Sequence, residues 1–318
     1  MDDLTVLRGL KICFAGSGDF GLPTLARLVD AGCDVLSVFS QPDKPAGRGA
    51  KLTPTPIAKF AIERGLSLVR TADINAEPLP TCDVLVVIAF GQKISERVVT
   101  TPKFGAVNLH ASRLPKYRGA APIHWAVING DPTSGNSVIR LAEKMDAGAV
   151  LGMSEVNIPP TMTTGELYEV LSNDGAVLLP RVLTQLASGT SVAVEQDHTQ
   201  ATRAVKLSRE MSAIDFSRDA RSIADQIRGM FPWPGCQVRL MQGEAEIARV
   251  TLVRARATDA GEAAMPGSID ANGLVSTGNG SLEILEMQPQ GKKPMVLNAF
   301  RNGKPWEAGM RLESIAGS

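Results

Sequence analysis

Val107–Ala121, VNLHASRLPKYRGAA, is an apolar, strand-like run that breaks into a polar, basic loop with a glycine. Residues i and i+2 of a strand face the same side. Asn108 and His110 therefore share one face at the carboxyl end of that strand. An amide that holds a carbonyl oxygen and an imidazole that manages a proton suit acyl transfer.

Outward from this segment, the first half of the chain alternates strand-like and helix-like stretches. Lys11–Ala15 reads as a strand. Asp19 is placed to cap a helix over Leu22–Ala31, which Gly32 ends. Val35–Ser40 is a second strand, followed by the Pro- and Gly-rich loop QPDKPAGRGAKLTPTP (Gln41–Pro56). A helix near Ile57–Arg64, a strand at Val84–Ala89 and the strand ending at Asn108 complete the pattern. Such alternation predicts an α/β fold with a mostly parallel sheet, helices on both faces, and a site at the carboxyl ends of the strands.

Ala121–Asn129 reads as a helix, Gly135–Leu141 and Ala149–Val156 as strands, and Thr164–Ser188 as a long helix before Gly189. Gln196–Arg209 is polar and weakly patterned, as a linker would be. A helix around Arg218–Met230 precedes FPWPG. From Cys236 onward, short β-like segments alternate with turn residues, predicting a small C-terminal barrel of the OB type. The boundaries expected are 1–195, a linker at 196–210, and 211–318.

The chain has 318 residues, enough for two domains with real cores. Lys+Arg and Asp+Glu are equal at 33 each, so any nucleic-acid contact must come from local patches. The four cysteines, Cys13, Cys33, Cys82 and Cys236, form no C-x-x-C pair. They read as reduced, buried thiols of a cytoplasmic protein. With three histidines there is no metal-ligand spacing, so no metal is expected. The start, MDDLT, lacks the apolar run of a signal peptide, and the longest apolar run, Val84–Phe90, is too short to span a membrane.

Gly16-Ser17-Gly18-Asp19-Phe20-Gly21 matches the G-x-G-x-x-G dinucleotide fingerprint and motivates an NAD(P)-dependent oxidoreductase as an alternative. Against it, Asp19 would set a carboxylate where a pyrophosphate should sit. The second strand also ends in FSQPD, without an acid placed for a ribose.

Singly, His110 reads as a hydrogen-bonded strand-end residue, and Asn108 and Asp146 as turn formers. Together they form a constellation. Asp146, in KMDAGAV, can orient the His110 imidazole if its loop folds back over the same sheet edge. Asn108 can then donate to an oxyanion. His124, beside Trp125 on a helix, is the competing imidazole and reads as packing or surface.

Asn-x-His, the loop SRLPKYRGAAP and the downstream Asp resemble the folate-dependent formyltransferase family. QPDKPAGRG (Gln41–Gly49), KLSREMSAIDFS (Lys206–Ser217) and IRGMFPWPG (Ile227–Gly235) are similar to its branch acting on methionyl-tRNA. The resemblance spans nearly the whole chain. It implies a Rossmann-like formyl-transfer domain and a barrel that assists tRNA binding. It also implies a monomer that moves the formyl group of 10-formyltetrahydrofolate to the α-amine of initiator methionyl-tRNA.

By the same resemblance Asn108, His110 and Asp146 are the catalytic trio, and Ser112, Arg113, Leu114 and Pro115 bind the folate. Arg113 stands where the family usually has an apolar residue. Lys44, Arg48, Lys51, Lys206, Lys292 and Lys293 are the expected tRNA contacts, with Arg48 the one most concerned with choosing the initiator. A relative acting on a small amine, such as an amino sugar, would share the trio but would not need the basic Gln41–Lys59 loop or the barrel.

Overall fold

The computed structural model describes residues 4–46, 49, 51–261 and 264–315. By packing, the chain divides into two units. One comprises 1–119, 135–156 and 168–203; the other comprises 120–134, 157–167 and 204–318. The chain thus passes between them several times. Gln196–Arg203 groups with the first unit and everything from Ala204 with the second.

In the first unit, β1 (Lys11–Gly16), α1 (Leu22–Asp30), β2 (Asp34–Ser40), α2 (Pro56–Glu63), β3 (Leu68–Arg70) and β4 (Val84–Ile88) follow in turn. They lead to α3 (Glu96–Thr100) and β5 (Ala106–His110). The helix α4 (Pro122–Ile128) belongs to the second unit, and β6 (Ser137–Arg140) and β7 (Val150–Met153) return to the first. The sheet order is β7-β6-β5-β4-β1-β2-β3. The five strands from β5 to β3 are parallel, and β6 and β7 are antiparallel to their neighbours.

Every residue of β4, VLVVI, is buried, as expected for a central strand covered on both faces. The chain winds from β1 through β2 to β3 and then crosses to β4 on the other side of β1. That reversal is a topological switch point at the carboxyl ends of β1 and β4, where Gly16 pairs with Ile88.

Two local details differ from the sequence reading. Asp19 does not cap α1. A short 3-10 turn covers Asp19–Gly21, the residue before α1 is Gly21 with no side-chain cap, and the Asp19 carboxylate accepts from the Tyr168 hydroxyl. The glycine spacing also has an internal reason. A Cβ on Gly16 would lie 2.8 Å from the Phe14 ring and 2.9 Å from the Ile88 carbonyl oxygen. At the far end α1 closes as expected. Gly32, at φ 81°, donates to Val29 O at 3.0 Å, and Cys33 donates to Leu28 O at 3.1 Å. This is a Schellman ending.

The helix α5 (Thr164–Ala187) starts in the second unit and belongs to the first from Tyr168 on. Gly175 allows it to lie against β5. A Cβ there would sit 2.5 Å from Leu109 Cδ2. Leu109 is thereby buried beneath α5, which turns its neighbours Asn108 and His110 to the opposite face.

The second unit holds α6 (Ala220–Met230), then β8 (Cys236–Gln242), β9 (Ala245–Thr258), β10 (Val275–Ser276), β11 (Ser281–Pro289), β12 (Met295–Val296), α7 (Leu297–Arg301) and β13 (Met310–Ser314). The antiparallel order is β10-β11-β9-β8-β13, with β12 beside β11. Gly267–Ile269 joins the two ends: Leu312 donates to Gly267 O at 2.8 Å, Ile269 to Met310 O at 2.8 Å, and Ser276 to Ser268 O at 2.8 Å. The sheet is nearly closed into a barrel, which removes its free edges. Val238, Leu240, Leu252, Leu282, Ile284 and Met287 fill it, with Ile223 and Ile227 of α6 in the same core. Asp219 caps α6 by accepting from Ser222 N.

Candidate active site

The site is built where β5 ends. His110 is 7% exposed. Its Nε2 lies 2.9 Å from the Tyr117 carbonyl oxygen, and its Nδ1 lies 3.7 Å from Asp146 Oδ1. A carbonyl only accepts, so Nε2 donates to it. Asp146 reaches this point as the sequence required, by a loop folding back from between β6 and β7. Its Oδ2 accepts from Gly119 N at 2.9 Å. Asn108 pairs with Ile139 across the sheet and is half-buried. Among the described residues its amide makes no side-chain hydrogen bond. The three predicted residues therefore converge, with one amide donor unspent.

Backbone strain concentrates here. Ala89 (φ 47°), Tyr117 (φ 63°) and Asp146 (φ 53°) are the non-glycine residues of the described chain in the left-handed region. Tyr117 and Asp146 both contact His110, and such conformations persist only where surrounding bonds impose them. Tyr117 N donates to Thr202 Oγ1 at 2.8 Å, and Arg118 N donates to Thr202 O at 2.9 Å.

Ser112–Pro115 forms the loop just beyond His110. Ser112 Oγ donates to Lys116 O at 2.7 Å, and Ser137 Oγ donates to Ser112 O at 2.7 Å. Leu114 N donates back to Ser137 Oγ at 3.0 Å. The loop is fixed from β6, and Leu114 is buried. Arg113 is exposed and pairs with Glu155, so it points away from an apolar role.

Of the basic residues, Lys44 and Lys51 lie on two short paired strands, Lys44–Ala46 and Lys51–Thr53, and both are exposed. The acid of that loop, Asp43, is taken by Arg70 at 2.8 Å, which leaves the hairpin cationic. Arg48 lies outside the described residues. Lys206, Lys292 and Lys293 are exposed on the second unit. His124 is also in that unit. Burial lowers its pKa below the ordinary imidazole value, with a hydrogen bond that the ring donates to the Trp233 backbone pulling the other way. Among the described residues no group of three or more His, Cys, Asp or Glu is placed to hold a metal, and no helix is long and apolar enough to cross a membrane.

The residues that sequence reasoning missed are Tyr117, Gly119 and Gln196, each bonded to the trio by backbone or from far along the chain. Ala89, after β4, carried no signal either, because strain is not written in residue type.

A Rossmann-like sheet with an amide, an imidazole and a carboxylate beyond its strand ends, joined to an antiparallel barrel, is the architecture of a group-transfer enzyme of the formyl-transferring class. The chain belongs to the formyl transferase family: the formyl transferase model matches residues 10–183, and the formyl transferase C-terminal domain model matches residues 206–305.

It is 36% identical to the methionyl-tRNA formyltransferase of Agathobacter rectalis, over 94% of this chain and 98% of that protein. To the proteins of that name from Methylococcus capsulatus and Moorella thermoacetica it is 37% identical over at least 95% of this chain and 99% of each of them. Among solved structures, the sugar 3N-formyl transferase WlaRD, in the presence of dTDP and 5-N-formyl-THF, superposes with a TM-score of 0.65. It is 17% identical, over 89% of this chain and 99% of that one. The N-formyltransferase of Helicobacter canadensis, in complex with folinic acid and dTDP-3-aminofucose, gives 0.64 at 16% identity, over 88% and 99%. At those identities the structures speak for the fold.

Proposed function

We propose that this chain transfers the formyl group of 10-formyltetrahydrofolate to the α-amine of initiator methionyl-tRNA, in the cytoplasm and without a metal. The observation that carries the reading is the convergence of Asn108, His110 and Asp146 on one strand end, in a chain whose full-length relatives bear that activity in their names. The donor contributes an N-linked formyl carbonyl. The Asn108 amide, unspent in the fold, donates to the carbonyl oxygen as it gains charge. One such donor is worth about 3 kcal/mol. His110 takes on Nδ1, the nitrogen not donating to the Tyr117 carbonyl, the proton that the attacking amine sheds, and passes it toward the departing folate nitrogen. Asp146 lies against Nδ1 and orients the ring for that exchange. The amine attacks as the neutral form, accessible because an α-amine titrates near pH 8 and an esterified one lower.

In this reading Ser112, Arg113, Leu114 and Pro115 form the folate loop, pinned in place by Ser137, with the Arg113 side chain turned to Glu155. Lys44 and Lys51 of the cationic hairpin, together with Arg48, Lys206, Lys292 and Lys293, take the tRNA phosphates. Residues 1–195 carry the chemistry and 211–318 assist the tRNA, with 196–210 between them, and the enzyme works as a monomer.

The test is formylation of initiator and elongator methionyl-tRNA by the full chain with 10-formyltetrahydrofolate. Rapid transfer to the initiator and slow transfer to the elongator is the expected result. Transfer only to a small amine, with the charged tRNA verified, would replace the acceptor. The affinity for tRNA should fall steeply as salt rises, because phosphate contacts release counterions. A flat salt response would remove the lysine patches from the model of binding.

A further inference from the structure

Gln196 lies in the irregular segment after α5, outside any helix or strand, yet it is only 7% exposed. All four of its hydrogen-bonding positions are filled. Nε2 donates to the carbonyl oxygens of Asp146 and Gly148, each at 2.8 Å. Oε1 accepts from Arg118 Nε at 3.1 Å and Nη2 at 2.6 Å. An amide has two N–H donors and two lone pairs, so this is full occupancy.

The partners are not arbitrary. Asp146 and Gly148 lie on the loop that carries the carboxylate facing His110. Arg118 precedes Gly119, whose N–H holds the other oxygen of that same carboxylate at 2.9 Å. One side chain thus grips both loops that fix Asp146. The grip matters because Asp146 sits at φ 53°, a left-handed conformation that is strained for a residue with a Cβ. Few other bonds hold the turn: within it, Ala147 N reaches Lys144 O at a long 3.2 Å. Gln196 is itself well anchored. Two residues earlier, Val194 exchanges both backbone bonds with Val150, at 2.8 and 2.9 Å. Arg118 is steadied in turn, its Nη2 lying 2.8 Å from His198 Nδ1.

We infer that Gln196 is a positioning residue for formyl transfer: it holds the Asp146 loop in its strained turn and so keeps the carboxylate against His110 and the Gly119 N–H. The inference rests on the function proposed above for the trio. A displacement of about 1 Å in a supporting group lowers turnover by as much as 10²-fold, so the effect belongs in kcat.

The experiment uses the full chain as wild type, Gln196→Met, Gln196→Glu, Asp146→Ala and the Gln196→Met/Asp146→Ala double variant. Turnover and KM for 10-formyltetrahydrofolate are measured with initiator methionyl-tRNA, the folded state is checked by urea titration, and exchange of the Gly119 amide is followed by NMR. Gln196→Met should lower kcat about 10- to 100-fold with KM changed less than about threefold. Gln196→Glu keeps the acceptor for Arg118 but loses both donors, and should not restore the rate. The double variant should turn over within about twofold of Asp146→Ala alone, because the glutamine acts only through that carboxylate. The Gly119 amide should exchange at least about tenfold faster in Gln196→Met, whatever the activity.

A folded Gln196→Met enzyme with wild-type kcat would overturn the inference, as would effects that multiply in the double variant. A wild-type chain without formyl transfer would sink the functional reading instead. The exchange of Gly119 would then decide the clamp alone: unchanged protection rejects it, and loss of protection upholds it.

Discussion

Two aspartates of this chain lie almost out of water and are held in opposite ways. Asp225, on α6 of the barrel unit, is 9% exposed, and its Oδ1 meets Arg228 Nη2 at 2.6 Å and Nε at 2.8 Å. Arg228 is 2% exposed and spends a further N–H on Met162 O. Asp146, 12% exposed, accepts one backbone N–H at 2.9 Å and stands 3.7 Å from the imidazole it faces. The first carboxylate is engaged on both oxygens, Oδ1 by Arg228 and Oδ2 by Arg221 at 3.2 Å. The second faces an imidazole that stands beyond hydrogen-bond distance. A carboxylate ion-paired on both oxygens has no capacity left for chemistry. A pair held just short of contact on a strained turn has.

The contrast is broken most sharply at His110. His110→Ala should lower kcat by about 10³-fold or more, with binding of 10-formyltetrahydrofolate by equilibrium dialysis little changed. Near-normal turnover would place the proton transfer elsewhere. The barrel pair should respond in stability alone. Arg228→Met strips the buried Oδ1 of Asp225 of its partner and leaves only the exposed Arg221, 3.2 Å from Oδ2, and should cost about 3 kcal/mol in urea unfolding. Replacing both, Asp225→Leu with Arg228→Met, should recover most of that and keep formyl transfer, which no replacement of the Asp146–His110 pair should allow.

Next in size, Asn108→Ala should lower kcat about 10²-fold, near the value of one oxyanion donor. Steady-state kinetics with initiator methionyl-tRNA would show it as a loss in kcat without a matching rise in KM. An unchanged kcat would leave the oxyanion to other groups.

The smallest effect concerns Glu166, whose carboxyl is lowered to about 2, first by its bond with Arg254 and then by Thr163. Its folded-state pKa lies below the unfolded value. Its contribution is therefore present above about pH 4.5 and is lost as pH falls toward 2. Because the side chain is 46% exposed, solvent screening holds this below about 1 kcal/mol. Urea midpoints at pH 5 and pH 3 should differ less in Glu166→Gln than in wild type. An identical pH response would mean that Thr163 and Arg254 hold the carboxylate too weakly to matter.

Much of this was legible beforehand. β1, β2 and β4 fall within a residue or two of the stretches expected, because a buried parallel strand is written as an unbroken apolar run. Asn108 and His110 were legible as a pair because the two-residue period of a strand needs no tertiary knowledge. The limits are equally specific. Asp19 looked like a helix cap because its true partner, the Tyr168 hydroxyl, lies 149 residues away. Gln196 fell in a stretch read as linker, because a polar residue in a polar segment carries no sign of the carbonyls it will meet about 50 residues earlier. The antiparallel run of β6 and β7 was not in the pattern either, since apolar periodicity is the same in both directions.

The sequence by itself determined the alternation of strand and helix, the barrel's short strands, and the order of amide, imidazole and carboxylate along the chain. These follow from local periodicity and residue chemistry, which act over a few bonds. Only the tertiary structure decided that Asp146 returns to His110 and that Gln196 clamps it. It also decided that Gly175 lets α5 sink onto Leu109, which leaves Asn108 and His110 on the opposite face of the sheet. Each of these depends on a contact between residues far apart in sequence, and such a contact exists only once the chain has packed.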